Sequence, residues 1–333
     1  MGTRHEGAGP ASPIQFCYGP VQRFGHLGRC QRWINVLGAV DRPEAAEAAF
    51  YRVNGGPERP LALGGDRHRL AETGDFNAEV GWDEVSPGDN GLEVRVARRG
   101  GGEDRAAVRL VVADGGPWPL PYAVDFSALE NLQDAVQVVD GLWRLEADGV
   151  RTAAPYYDRV LCLGDRSWTD YETVARLTVH AFAPSEPGPP TYDVTHMGIA
   201  MRWRGHHRDD YSPHRKWYPL GAQGEFLLKE GAAGCQWRIL FDRPADKPPA
   251  YAGGRNALEL GRPALFKTQV ATVPDGRSRY RFKQWMEGAP EPRSWDVEGF
   301  EEDDYESGAL CLVPHNSDVT IHSVRVEELA TQG

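Results

Sequence analysis

The chain reads as an all-β protein built from two sandwich domains, and three observations predict this. Apolar and polar residues alternate with period two in segment after segment, most cleanly in Leu92-Glu93-Val94-Arg95-Val96-Ala97, which turns one face of each strand toward a core. The 38 glycines and 25 prolines are spread along the chain rather than gathered in one linker, as many short strands joined by turns require. Among the strand candidates of the second half, no segment of any length carries the 3.6-residue apolar period of a helix. At 333 residues the chain exceeds what one core ordinarily fills, so two domains are expected.

Residues 1–13 are Gly, Ala, Pro and polar residues and read as a disordered tail. The first domain is expected over 14–114. Its strands are 33–40, 49–53, 59–63, 76–80, 92–97 and 107–112, with Asn54-Gly55 as a hairpin corner and turns at 87–91 and 98–104. The run Pro43-Glu44-Ala45-Ala46-Glu47-Ala48-Ala49 has helix propensity but is short, and reads as a turn or loop. Pro117-Trp118-Pro119-Leu120-Pro121 stiffens a connector over 115–122. The second domain, 123–329, offers strands at 136–139, 143–147, 160–163, 171–182, 196–204, 225–229, 237–242, 264–272, 278–286, 308–314 and 319–326. That number suggests two large antiparallel sheets, and the prolines between the two texts predict independently folding units.

Composition narrows the function. Hydrophobic residues at 41% and charged residues at 26% describe a globular, soluble chain. A net charge of −11 repels phosphates, so no nucleic-acid partner is expected. No stretch approaches a membrane helix, so no membrane partner is expected either. Residues 1–13 hold no apolar signal region, which predicts a cytoplasmic location, or an extracellular one if the N-terminus is trimmed. Five cysteines without a CxxC spacing argue against a disulfide framework and a zinc knuckle; Cys17 with Cys30 is the one pairing to test.

Four stretches of the second domain belong together: Trp168-Thr169-Asp170-Tyr171-Glu172, His196 through Trp203, Tyr280 through Gly288, and Gly308 through Asn316 leading into Val324-Arg325-Val326. In order and spacing they resemble the concanavalin A-like lectin/glucanase superfamily, in the style of laminin-G-like and keto-disaccharide hydrolase-like domains. Residues 31–113 resemble the immunoglobulin-like modules that often precede such domains. The resemblance implies a jelly-roll sandwich and a glycan or oligosaccharide ligand. It transfers no catalytic residues, because the acidic Glu-x-Asp-x-x-Glu strand of jelly-roll glucanases is absent.

Strand alternation proposes a groove. Met197, Ile199, Met201 and Trp203 share one face, read as core; His196, Gly198, Ala200 and Arg202 share the other. Arg281, Lys283 and Trp285 share a face, as do Glu172, Arg176 and His180. Convergence of these faces would set Arg176, Arg202, Arg281, Lys283 and Trp285 around a sugar, the indole on its C–H face and the arginines forking to oxygens. The loop 205–218 adds His206, His207, Tyr211 and Trp217 as contacts at the groove mouth. Its histidines, and the acidic run 298–306, match no metal motif, so no metal or cofactor is expected, calcium at the acidic run being the nearest exception. Glu172, His180 and Glu225 are the candidates for catalysis, and none can be paired from sequence. His315, at a strand end, reads as structural. The leading expectation is carbohydrate binding in this groove. A glycoside hydrolase or polysaccharide lyase using the same groove is the alternative, and a plain interaction sandwich the third.

Overall fold

The computed structural model describes residues 12–66, 69–182, 195–206, 221–228, 235–241, 248–253, 258–302 and 304–329. The first sandwich consists of β1 (Ile14–Phe16), β2 (Val21–Phe24), β3 (Trp33–Val40), β4 (Ala46–Val53), β5 (Arg59–Pro60), β6 (Asp75–Gly81), β7 (Gly88–Arg98) and β8 (Glu103–Val112). A three-stranded sheet β1-β3-β6 faces a five-stranded sheet β2-β8-β7-β4-β5. The alternating Val36, Phe76, Ala78, Val80, Leu92, Val94, Val96 and Leu110 fill the space between them. β1 and β2 are too short for alternation to register. The helix-prone run at 43–49 forms a single 3-10 turn over Pro43–Ala45, and β4 begins at Ala46, because pairing with β7 buries Ala49, Tyr51 and Val53.

The second sandwich comprises β9 (Tyr122–Asp125), β10 (Gln137–Asp140), β11 (Trp143–Glu146), β12 (Gly149–Thr152), β13 (Val160–Leu163), β14 (Tyr171–Phe182), β15 (His196–Trp203), β16 (Ala222–Leu227), β17 (Gln236–Phe241), β18 (Ala250–Tyr251), β19 (Pro263–Thr272), β20 (Ser278–Met286), β21 (Val297–Glu301), β22 (Ala309–His315) and β23 (Ser317–Glu328). One sheet runs β10-β13-β22-β15-β16-β17-β18, the other β11-β12-β23-β14-β19-β20-β21, with β9 beside β23. Aromatic rings lock the sheets together: Phe226 meets Phe266 edge-on at 5.3 Å, and Trp237 lies 5.3 Å from Phe282. Gly224 permits this, since a Cβ there would fall 2.0 Å from the Phe282 ring.

The outer face of the seven-stranded sheet is not wholly open. A buried layer of Cys30, Val139, Val160, Cys162, Ala200, Trp203, Ala309, Cys311 and Val313 covers part of it. Around this layer runs a polar seam between the two sandwiches. Asp140 accepts from Arg69 Nε at 2.6 Å and Asn77 Nδ2 at 2.9 Å, Gln137 donates to the Trp33 carbonyl at 2.8 Å, and Gln133 donates to Gln22 at 3.1 Å. The connector is part of the packing too: Trp118 is buried in the second core, and its carbonyl accepts from Trp168 Nε1 at 2.7 Å. No disulfide forms among the described residues, so Cys17 and Cys30 are not bonded to each other; Cys17 is exposed and Cys30 buried. Among the described residues, no helix is long and apolar enough to cross a membrane.

Candidate functional site

The outer face of the eight-stranded sheet carries most of the residues that alternation assigned to a groove. Neighbouring strands β14, β19 and β20 set Glu172, Arg176, Arg281, Lys283 and Trp285 on this face. Their charges are matched locally. Arg176 grips Glu287 through two bonds of 2.5 and 2.9 Å, Glu172 meets Lys267 at 2.6 Å, and Arg281 pairs with Glu298. Lys283 donates to the Pro292 carbonyl at 2.8 Å, meets Glu291 at 2.7 Å and sits 4.8 Å from the Trp295 ring. Trp285 is half-buried, 5.9 Å from the Lys283 ammonium. His180 lies further along β14, 2.7 Å from Thr320 Oγ1; burial, then nearby Arg151, lowers its pKa.

Two expected groove residues lie elsewhere. Arg202 is 1% exposed and belongs to the other sheet. The ladder between β15 and β22 slips between Ala200 and Trp203, and Arg202 takes a left-handed backbone (φ 52°). That extra residue moves Trp203 to the Ala200 face and sends Arg202 inward. There it donates to Asp170 at 2.8 Å, Ser278 Oγ at 2.5 Å, Thr272 Oγ1 at 2.9 Å and the Tyr305 carbonyl at 2.9 Å. His206 is buried in the seam, with Nε2 2.9 Å from Asp140 and its carbonyl accepting from Trp33 Nε1 at 2.8 Å. Burial alone would raise the Asp140 pKa, but Arg69 and His206 hold it below the ordinary value. His207, Tyr211 and Trp217 lie outside the described residues.

A second constellation is assembled on the outer face of the seven-stranded sheet, past the buried layer. His196 on β15 stands opposite His315 on β22, and Gly198 on β15 opposite Glu225 on β16. The two imidazoles stack at 4.9 Å and 18°. His196 Nε2 lies 3.4 Å from Glu225 Oε1, and Glu225 is gripped by Arg238 on β17, its Nε at 2.8 Å, and by Gln223 at 3.0 Å. His315 Nδ1 lies 2.8 Å from Asp158 Oδ1. Gly198 leaves room for the ring, because a Cβ there would come within 3.2 Å of His196 Nδ1.

His196, Glu225 and His315 are each only 3% exposed. Burial pushes the Glu225 pKa up, against the pull of Arg238. Burial, reinforced by His315, drives the His196 pKa well below the usual histidine value. His196 Nδ1 and His315 Nε2 are buried with no hydrogen-bond partner. Asp158 lies on the Nδ1 edge of His315 through its carboxylate and, at 3.4 Å, its backbone N–H; the tautomer protonated on Nδ1 leaves a lone pair on Nε2, the arrangement of an oriented general base. Asp158, His196 and His315 each offer a donor atom within 4.8 Å of the others. The near-parallel stacking keeps the two ring planes apart, however, and an ion needs both lone pairs to converge in plane. Of this cluster, sequence reasoning had named only Glu225 for chemistry. Asp158 and Arg238 escaped it, His196 was seen only as part of a polar face, and His315 was read as structural. The β15-β16-β22 register that joins them leaves no local pattern.

No protein-family model matches the chain, and no curated protein does. Solved structures with some likeness include one from work on endo-acting O-glycanases that members of the human gut microbiota express to initiate mucin breakdown (7% identity, TM-score 0.41, 63% of this chain and 99% of that one). The alginate lyase Aly36B is another (10%, 0.34, 60% and 86%). A third comes from work on carbohydrate-binding modules of the β-sandwich superfamily (10%, 0.18, 90% and 91%).

Proposed function

We propose that the protein acts on a glycan, and that the cluster of Asp158, His196, Glu225, Arg238 and His315 is its proton-transfer centre. One observation carries this reading: ionisable groups are buried together in mid-sheet, with two imidazole nitrogens left unpartnered. Burying such groups opposes folding, and a stability-driven sheet would place apolar residues there. Both carboxylates are committed, Glu225 to Arg238 and Asp158 to His315. That disfavours hydrolysis by two free carboxylates and favours proton abstraction by imidazole. The fitting reaction is β-elimination on a uronate. His315 Nε2 takes the proton α to the carboxylate, the electron pair becomes the C=C bond, and the β C–O bond breaks. The departing oxygen then takes a proton from water. Arg238 supplies positive charge near the substrate carboxylate.

The test is a screen of uronate-containing and neutral polysaccharides, following ultraviolet absorbance of the new double bond and the release of reducing ends. Wild type should cleave a uronate polymer, while His315→Gln and Glu225→Gln should lose at least a hundredfold in kcat with folded spectra. Cleavage that survives both substitutions would remove the cluster from the chemistry. A second reading, glycan binding without turnover, is favoured by half-buried Trp285 and Trp295 beside Lys283. Binding that Trp285→Ala abolishes, without cleavage of any polymer, would select it.

A further inference from the structure

We infer that the cleft where the two sandwiches meet, lined by Arg29, Arg32, Arg166 and Arg204 with the indoles of Trp33 and Trp82, is a binding site for an acidic glycan. The cleft comprises two adjoining hollows of about 600 and 480 Å³ that share Arg29 and Arg166. It lies apart from the acid–base cluster: Arg204 follows the end of β15, and His196 begins that strand, which places them about 25 Å apart along it.

Positive charge is in excess there: five arginines, Arg59 included, line the two hollows with four carboxylates, of which Glu84 is taken by Arg59. Arg32, Arg166 and Arg204 form no ion pair among the described residues, in a chain whose net charge is −11. Arg29 has one long pair, 3.7 Å to exposed Asp114. Of the carboxylates in the wall, Asp165 is occupied by the backbone N–H groups of Arg29, Trp118 and Ser167 at 3.0, 3.2 and 2.9 Å. Exposed Asp83 stands at the rim. Burial and the proximity of Arg166 and Arg204 weigh against the Arg32 charge. Arginines in excess of their counter-ions lower their energy by taking up an anion.

The aromatic partners point to a saccharide anion rather than a bare one. Each indole N–H is already used, Trp33 on the His206 carbonyl and Trp82 on the Gln31 carbonyl, both at 2.8 Å. Arg29 lies over Trp82 at 4.8 Å and Arg32 near Trp33 at 6.0 Å. A guanidinium beside an indole keeps its in-plane N–H fork for a carboxylate or sulfate, while the Trp82 indole carries an apolar plane that suits a sugar ring. The sugar part of this assignment rests on the proposed function; the anion part rests on the arginines.

The experiment is calorimetric titration of wild type, Arg32→Ala/Arg166→Ala and Glu225→Gln with four probes. These are an oligouronate, a sulfated oligosaccharide, a neutral oligosaccharide of equal length and a single-stranded oligonucleotide. Acidic saccharides should bind wild type at least tenfold more tightly than the neutral one, and more weakly as salt rises. The double variant should lose at least tenfold with its Tm unchanged, and Glu225→Gln, titrated beside it, separates loss of cleavage from loss of binding. Equal binding of neutral and acidic saccharides, an undiminished double variant, or tightest binding of the oligonucleotide each overturns the proposal. Glu225-dependent cleavage without arginine-dependent binding would refute the cleft and leave the proposed function standing. Arginine-dependent binding without Glu225-dependent cleavage would do the reverse.

Discussion

Replacing Arg202 by alanine should lower the unfolding temperature sharply rather than impair ligand binding. The guanidinium is 1% exposed and engages Asp170, Ser278, Thr272, the Thr169 and Tyr305 carbonyls and, at 3.4 Å, Asp304. Alanine leaves the nearly buried Asp304 carboxylate, at 4% side-chain exposure, without its cation. Breaking a buried pair from one side costs about 3–5 kcal/mol. For a domain of this size each kcal/mol shifts Tm by about 2–4 °C, so the expected fall is on the order of 6–20 °C. Calorimetry of wild type and variant measures it. A variant within about 1 kcal/mol of wild type that had lost glycan affinity would return Arg202 to a binding surface and refute the buried-anchor reasoning.

Trp285→Ala, on a half-exposed outer face, should cost under about 1.5 kcal/mol, well short of the roughly 3–5 expected of a core tryptophan; a chemical denaturation curve decides. Asp140→Ala should destabilise by about 1–3 kcal/mol, since it removes the partner of His206 and Asn77 and leaves Arg69 with Glu79 alone. Because that seam couples the sandwiches, wild type should melt in one calorimetric transition; two well-separated transitions would contradict the coupling. Stability should also fall in acid. The His196 pKa is depressed in the fold, so below about 6.5 the unfolded chain takes a proton the folded one refuses. His196→Asn should flatten the Tm decline between about pH 7 and 5, and an unchanged slope would show that His196 charges freely in place.

Alternation was a sound guide wherever the ladder was regular. On β20 it separates Arg281, Lys283 and Trp285 from Tyr280 and Phe282, and the sheet keeps that separation. It failed at the slip beside Arg202, since one extra residue exchanges the faces and no residue type announces it. The cluster around Glu225 was illegible for another reason. His196 and His315 are neighbours only because β22 pairs with β15, a register set by the whole sandwich. The same holds for the seam: Asn77, Arg69 and Asp140 look like surface polar residues until two sheets bury them together.

The three thiols of Cys30, Cys162 and Cys311 make the junction chemically self-reporting. They sit in one buried layer, and burial raises all three pKa values, so thiolate, the species that alkylates, is scarce there. Cys17, exposed on the first sandwich, has no such shelter. A pulse of iodoacetamide therefore marks Cys17 at once and the buried trio only when the sandwiches part. The lag between the two labels is a clock for the opening of the arginine-lined cleft, and any molecule that bridges the cleft would slow it.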